Sequence, residues 1–198
     1  MATKYVPLVA TSLEQGASYH RVPHGYPELV RLDDPAKWVM TDLKMIQAFT
    51  IEPEATIEAA NIKMIACGVR LLLVTNTLRD IIGLITATDI LGEKPMQFLG
   101  KVGGTHRDIL VSDIMTPQAS LEVLHMVDVE RARVGNIVET LKRSGRQHAL
   151  VVDINEQGMT QKVRGIFSGT QISRQMGVVL EVPEIAHNFA ELEQTLAH

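Results

Sequence analysis

The feature that most narrows the fold is an internal repeat, which runs without a gap through one long block. Ile57, Ala60, Met64 and Gly68 fall on Val134, Ile137, Leu141 and Gly145. Self-similarity takes precedence over any single motif, because overlooking it misassigns the whole architecture. Each copy opens on a Met-Thr pair, Met40-Thr41 and Met115-Thr116, and continues through a helix-period segment, a Gly, an apolar strand and a polar loop. Each then closes on one pattern: Gly83-Leu-Ile-Thr86-Ala-Thr88-Asp89 in the first, Gly165-Ile-Phe-Ser168-Gly-Thr170-Gln171 in the second. The chain therefore folds as two copies of one supersecondary unit, paired with pseudo-symmetry.

Local signals place the elements. Thr56 can cap a helix carrying Ile57, Ala60, Met64 and Cys67 on one face, with Gly68 ending it in the left-handed conformation. Leu71 to Val74 is a short, continuous apolar run, the mark of a strand covered on both faces. Asn76 to Asp80 forms a loop, Ile81 to Thr86 the next strand, and a short helix starts near Thr88 and stops by Gly92 or Pro95. Another helix is expected around Met96 to Leu99. The second copy repeats the plan, with a helix near Val134 to Arg143, strands near Ala149 to Val152 and Val163 to Phe167, a Gln157-Gly158 hairpin turn, and a helix ending at Met176. Asp33-Asp34-Pro35 has the form of a helix N-cap with Pro in the first turn. In the tail, Pro183 opens a helix with Ile185, Phe189, Leu192 and Leu196 on one face.

In their order and duplication, the two Met-Thr openings, the blocks Ala66 to Val74 and Ser144 to Asp153, and the two closing turns resemble a tandem cystathionine-β-synthase (CBS) domain pair, or Bateman module. The resemblance spans residues 39 to 177. It implies an α/β fold of two β-α-β-β-α repeats packed through their sheets, assembled as a homodimer. The division it implies is an N-terminal arm (1–38), a first repeat with linker (39–110), a second repeat (111–177) and a C-terminal strand and helix (178–198).

At the first closing turn a strand ends and a helix begins, so the hydroxyls of Thr86 and Thr88 and free backbone N–H groups offer a place for an anion. The Asp89 carboxylate can accept both hydroxyls of a ribose diol. Hydroxyl for phosphate and carboxylate for ribose describe a nucleotide. In the family, Ser/Thr-x-x-Asp serves this way, and adenine lies between apolar strands in the cleft between repeats. The second turn keeps Ser168 and Thr170 but has Gln171, a weaker acceptor for a diol. Arg70, before the first strand, and Arg146 and His148, at the matching place in the second copy, are candidate phosphate cations; solvated surface side chains are the alternative. For Thr86 and Asp89 the alternative is a helix cap without a ligand.

Composition excludes other classes. With 45% hydrophobic and 21% charged residues among 198, the chain builds an ordinary core, filled mainly by aliphatic side chains and nine Met because only 4% are aromatic. A net charge of −4 gives no broad attraction for nucleic acid or anionic lipid. The lone Cys67 cannot form an internal disulfide and reads as a small buried hydrophobe. No apolar run is long enough to span a membrane, so a cytoplasmic protein is expected. Pro23 between His20 and His24 argues against a helical metal pair, and Gly100-Lys101 lacks the rest of a phosphate-loop pattern. His125 with Asp128 and Asp113 with His106 match no catalytic spacing. The expectation is a non-catalytic module without cofactor or metal, which binds an adenine nucleotide and signals to a separate protein. A ligand-free scaffold and a nucleotide-processing enzyme are the rivals.

Overall fold

The computed structural model describes residues 27–154 and 160–180, together with Ser12 and Gln15. His20, His24, the Gln157-Gly158 turn and the Ile185, Phe189, Leu192, Leu196 face lie outside these residues.

In chain order the elements are β1 (Met40–Asp42), β2 (Thr50–Ile51), α1 (Ile57–Cys67), β3 (Leu71–Thr75), β4 (Ile81–Thr86), α2 (Ala87–Leu91), α3 (Lys94–Val102) and α4 (Val111–Ile114). Then come β5 (Thr116–Pro117), β6 (Val123–His125), α5 (Met126–Val129), α6 (Val134–Ser144), β7 (His148–Ile154), β8 (Gln161–Ser168) and α7 (Gly169–Met176). The two β-α-β-β-α units expected from the repeat are present as β2-α1-β3-β4-α2 and β6-α6-β7-β8-α7. Their sheets have the orders β2-β3-β4-β5 and β6-β7-β8-β1. In each, the first pair is parallel and the other two antiparallel.

The edge strands are exchanged. The first opening, Met40-Thr41, pairs with Phe167 and Ile166 of the second unit, and the second opening places Thr116 and Pro117 against Leu84 and Gly83 of the first. Each sheet is thus completed by the other repeat. The exchange explains Gly83 and Gly165: a Cβ on Gly83 would lie 2.6 Å from the Thr116 carbonyl oxygen, and one on Gly165 would lie 2.5 Å from Met40 Sδ.

Strand alternation then builds three apolar layers. Leu72, Val74 and Ile85 face α1, α2 and the linker residues Ile109, Val111 and Ile114. Val151 and Phe167 face α6, α7 and the buried Val39 and Met40. Between the sheets, Leu71 and Leu73 meet Leu150, with Leu84, Val163 and Ile166 packed around them. Leu71 to Val74 are all buried, as a strand covered on both faces requires.

Helix ends follow their local chemistry. Thr56 Oγ1 accepts the Ala59 N–H at 3.1 Å, and Gly68 and Gly145 end α1 and α6 with φ of 66° and 63°. Some expectations change. Asp34 caps no α-helix: its carboxylate accepts the Arg31 N–H, and Ala36–Val39 is a single 3₁₀ turn. Residues at the end of the expected arm belong to the second core, for Val30 and Ala36 are buried and the Val30 N–H donates to the Gln175 carbonyl. Cys67 is only half-buried. The linker helix runs from Lys94 to Val102, beyond the expected Met96 to Leu99, and holds Gly100 and Lys101 in its last turn rather than in a loop. Val178 to Leu180 form no strand.

Candidate functional site

The two closing turns occupy equivalent places but differ in chemistry. At the first, Thr86 is the N-cap of α2. Asp89 Oδ2 accepts the Thr86 N–H at 2.8 Å and its hydroxyl at 2.7 Å, while the Asp89 N–H donates to Thr86 Oγ1. This is a reciprocal capping box. The Ala87 N–H donates to the Arg70 carbonyl at 2.9 Å. The N–H groups of Thr86, Ala87 and Asp89 are therefore satisfied internally, and α2 has only five residues. The expectation of several free N–H groups for an anion fails here, since the cap consumes them. Exposed Thr88 and Arg70 stay open to solvent at this corner.

Asp89 has a further partner. Lys94 Nζ lies 2.6 Å from Oδ1, where the Asp89 side chain is 13% and the Lys94 side chain 35% exposed. The same ammonium donates to the Ile114 carbonyl at 3.2 Å. Sequence reasoning did not single out Lys94, although its position five residues after Asp89 was visible.

At the second turn Ser168 is the N-cap of α7 without a side-chain cap bond. The Gly169 N–H donates to the Gln147 carbonyl at 2.8 Å, the counterpart of Ala87 and Arg70. Gln147, not Arg146, therefore matches Arg70; the ungapped register of the repeat contained this assignment. Arg146 turns toward the Ser120 carbonyl at 3.3 Å and Glu122 at 3.9 Å. Gln171 Oε1 accepts the hydroxyl of Thr41 at 3.1 Å. The second copy thus replaces both charged groups of the first with amides: Gln147 for Arg70 and Gln171 for Asp89. Thr170, exposed, lines an open depression of 510 Å³ with Gln147, Ser173, Arg174 and Val178 to Leu180. The first turn, where the chemistry is richer, is not part of it.

His148 opens β7. Burial first and the Arg70 charge second lower its pKa, Asp89 acts in the opposite direction, and together they bring it from 6.5 down to about 4. Some of its surface still reaches solvent. Its ring is neutral at pH 7, so it is a hydrogen-bonding group there. The same interactions place Arg70 and Asp89 of the first repeat within electrostatic reach of His148 of the second.

The acid-base pairs considered from sequence find other uses. Asp113 accepts the Leu110 N–H at 2.8 Å, and His125 Nδ1 is buried with no hydrogen-bond partner among the described residues. No group of three or more His, Cys, Asp or Glu among the described residues could hold a metal. No helix among them is long and apolar enough to cross a membrane.

Comparison with known proteins agrees with this architecture. Residues 39–95 match the CBS domain family. No curated protein matches the chain. An uncharacterized conserved protein from Pyrococcus horikoshii is 23% identical with a TM-score of 0.50, over 72% of this chain and 92% of that one. The conserved CBS domain protein TA0289 of unknown function from Thermoplasma acidophilum is 17% identical with a TM-score of 0.49, over 68% of each chain. CBSX2 in complex with AMP is 17% identical with a TM-score of 0.47, over 71% of this chain and 93% of that one. The chain carries a CBS domain, and its two units together have the fold of a tandem CBS pair.

Proposed function

We propose that the chain is a non-catalytic, cytoplasmic regulatory module that binds one adenine nucleotide at the first closing turn and presents the result to a separate protein. The observation that carries this reading is the place of the first closing turn at the seam between the repeats: Leu71, which follows Arg70 and pairs with Thr86, packs with Leu150 of β7, the strand that His148 opens, and the His148 pKa responds to both Arg70 and Asp89. A group bound among them touches both halves of the pair and can report on their arrangement. Arg70 and the Thr88 hydroxyl serve a phosphate, Asp89 serves the ribose diol, and His148 offers a neutral ring. The paired amides Gln147 and Gln171 disfavour an equivalent second site, because they supply neither a cation for phosphate nor a charged acceptor for ribose. Ser168, Thr170 and Arg146 then have no part in binding. No cofactor or metal is required.

A homodimer belongs to the same reading. On the outer side of α1, Ile62 and Ile65 are 61% and 72% exposed. Their counterparts on α6 are Glu139 and Lys142, which pair with each other at 3.4 Å. One fold position carries apolar residues in one copy and charges in the other, so the α1 face is suited to a second copy of the chain and the α6 face to water.

The test is isothermal calorimetry with AMP, ADP, ATP and guanosine and cytidine controls, followed by recovery of the ligand. An adenosine ligand should bind once per chain and return unchanged. No binding by any of them favours the ligand-free scaffold, and steady conversion of the ligand favours an enzyme.

A further inference from the structure

The capping box and the Lys94 ion pair leave Asp89 too few free positions for a ribose. An ionised carboxylate has about four lone-pair positions. Three are filled, two by Thr86 and one by Lys94. A diol brings two more donors, so at least one existing contact must break. The Thr86 contacts are fixed by the start of α2, whereas Lys94 reaches Asp89 from the next helix on a flexible, partly exposed stem.

Lys94 also ties two elements together through its Ile114 contact. Ile114 lies two residues before β5 (Thr116–Pro117), the strand exchanged onto β4. The second repeat has the same connection in neutral form: Gln171 Nε2 donates to Gln175 Oε1 at 3.4 Å, and Gln175 Nε2 donates to the carbonyls of Pro27 and Trp38, just before the exchanged Met40-Thr41. The connection is ionic only at Asp89, which accepts from Lys94, whereas Gln171 donates to its neutral partner.

Resting on the nucleotide reading above, we propose that Lys94 is an internal latch that occupies the ribose acceptor of the empty site, and that nucleotide binding releases it. Release frees the start of α3 and the Ile114 carbonyl, so occupancy is transmitted to the linker and to the exchanged strand β5. The cleft and the linker become two ends of one competition for Asp89.

The experiment compares the wild-type chain with Lys94→Met and Asp89→Asn by calorimetry, using AMP and 2′-deoxy-AMP as probes, with amide exchange recorded in the wild type before and after AMP. Removing the competing ammonium should tighten AMP binding about three- to tenfold, the range expected for opening a partly exposed ion pair. The gain should shrink for 2′-deoxy-AMP and disappear in the Asp89→Asn background. AMP should accelerate amide exchange in residues 94–97 and 114–117 of the wild type. Unchanged or weaker AMP binding by a folded Lys94→Met variant overturns the latch while leaving the nucleotide site standing. Absence of AMP binding in both wild type and Lys94→Met overturns the nucleotide reading and the latch with it.

Discussion

Adding a single methyl group at Gly83 tests the strand exchange directly. Neither Gly83 nor Gly165 has a positive φ, so the demand for glycine comes from close approach rather than backbone conformation. A Cβ on Gly83 would sit 2.6 Å from the Thr116 carbonyl oxygen and 2.9 Å from Met115 Sδ. The nearer atom is backbone, so relief requires moving β5, which is held to β4 through Gly83↔Pro117 and Leu84↔Thr116. On Gly165 the nearest atoms are Met40 Sδ, Cγ and Cε at 2.5, 2.7 and 3.1 Å, all on a flexible side chain, though one that is buried. Overpacking of this kind costs about 1–3 kcal/mol. Gly83→Ala should fall near the top of that range and Gly165→Ala near the bottom. Urea denaturation measures both, through a lower midpoint at constant slope. Double mutants separate the causes. Met40→Ala should absorb part of the Gly165→Ala penalty, giving a coupling of about 1 kcal/mol, whereas Met115→Ala should leave most of the Gly83→Ala penalty in place because the carbonyl remains. Wild-type stability of Gly83→Ala, or its full rescue by Met115→Ala, would refute the argument.

The other predictions concern the site and the surfaces. Asp89→Ala should weaken adenine-nucleotide binding by about 1.5–3 kcal/mol, one to two decades by calorimetry, while Gln171→Ala changes it little. Because folding depresses the His148 pKa, the unfolded chain binds the extra proton; this source of stability is complete above pH 6.5 and is lost as the pH falls toward 4. The loss is at most about 3 kcal/mol, and His148→Gln should flatten the melting temperature across that window. Ile62→Glu with Ile65→Glu should convert a dimer to monomer in sedimentation at micromolar concentration, and Glu139→Ala should not. Thr56→Ala should lower stability by about 1 kcal/mol through loss of the α1 cap, read from the denaturation midpoint.

What the sequence determined by itself was local and repetitive. A cap at Thr56, a left-handed Gly68 and an apolar run from Leu71 to Val74 are each set by a few neighbouring residues, and the ungapped register duplicates them at Gly145 and β7. That was enough for the order of elements and for an α/β pair packed through its sheets. The matching closing turns identified Gln171 in the place of Asp89, and the ungapped register, followed two residues past Gly145, assigns Gln147 to the place of Arg70. Only the tertiary structure decided which groups meet. Thr41 and Gln171 are 130 residues apart and share a hydrogen bond; Met40 and Gly165 touch because the opening strands cross to the opposite sheets. The role of Lys94 depends on where α3 begins relative to Asp89, and the neutrality of His148 on how much protein surrounds its ring. Propensity and spacing act along the chain, whereas ion pairing, desolvation and close approach act through space, and so these features appear only when the two repeats are folded together.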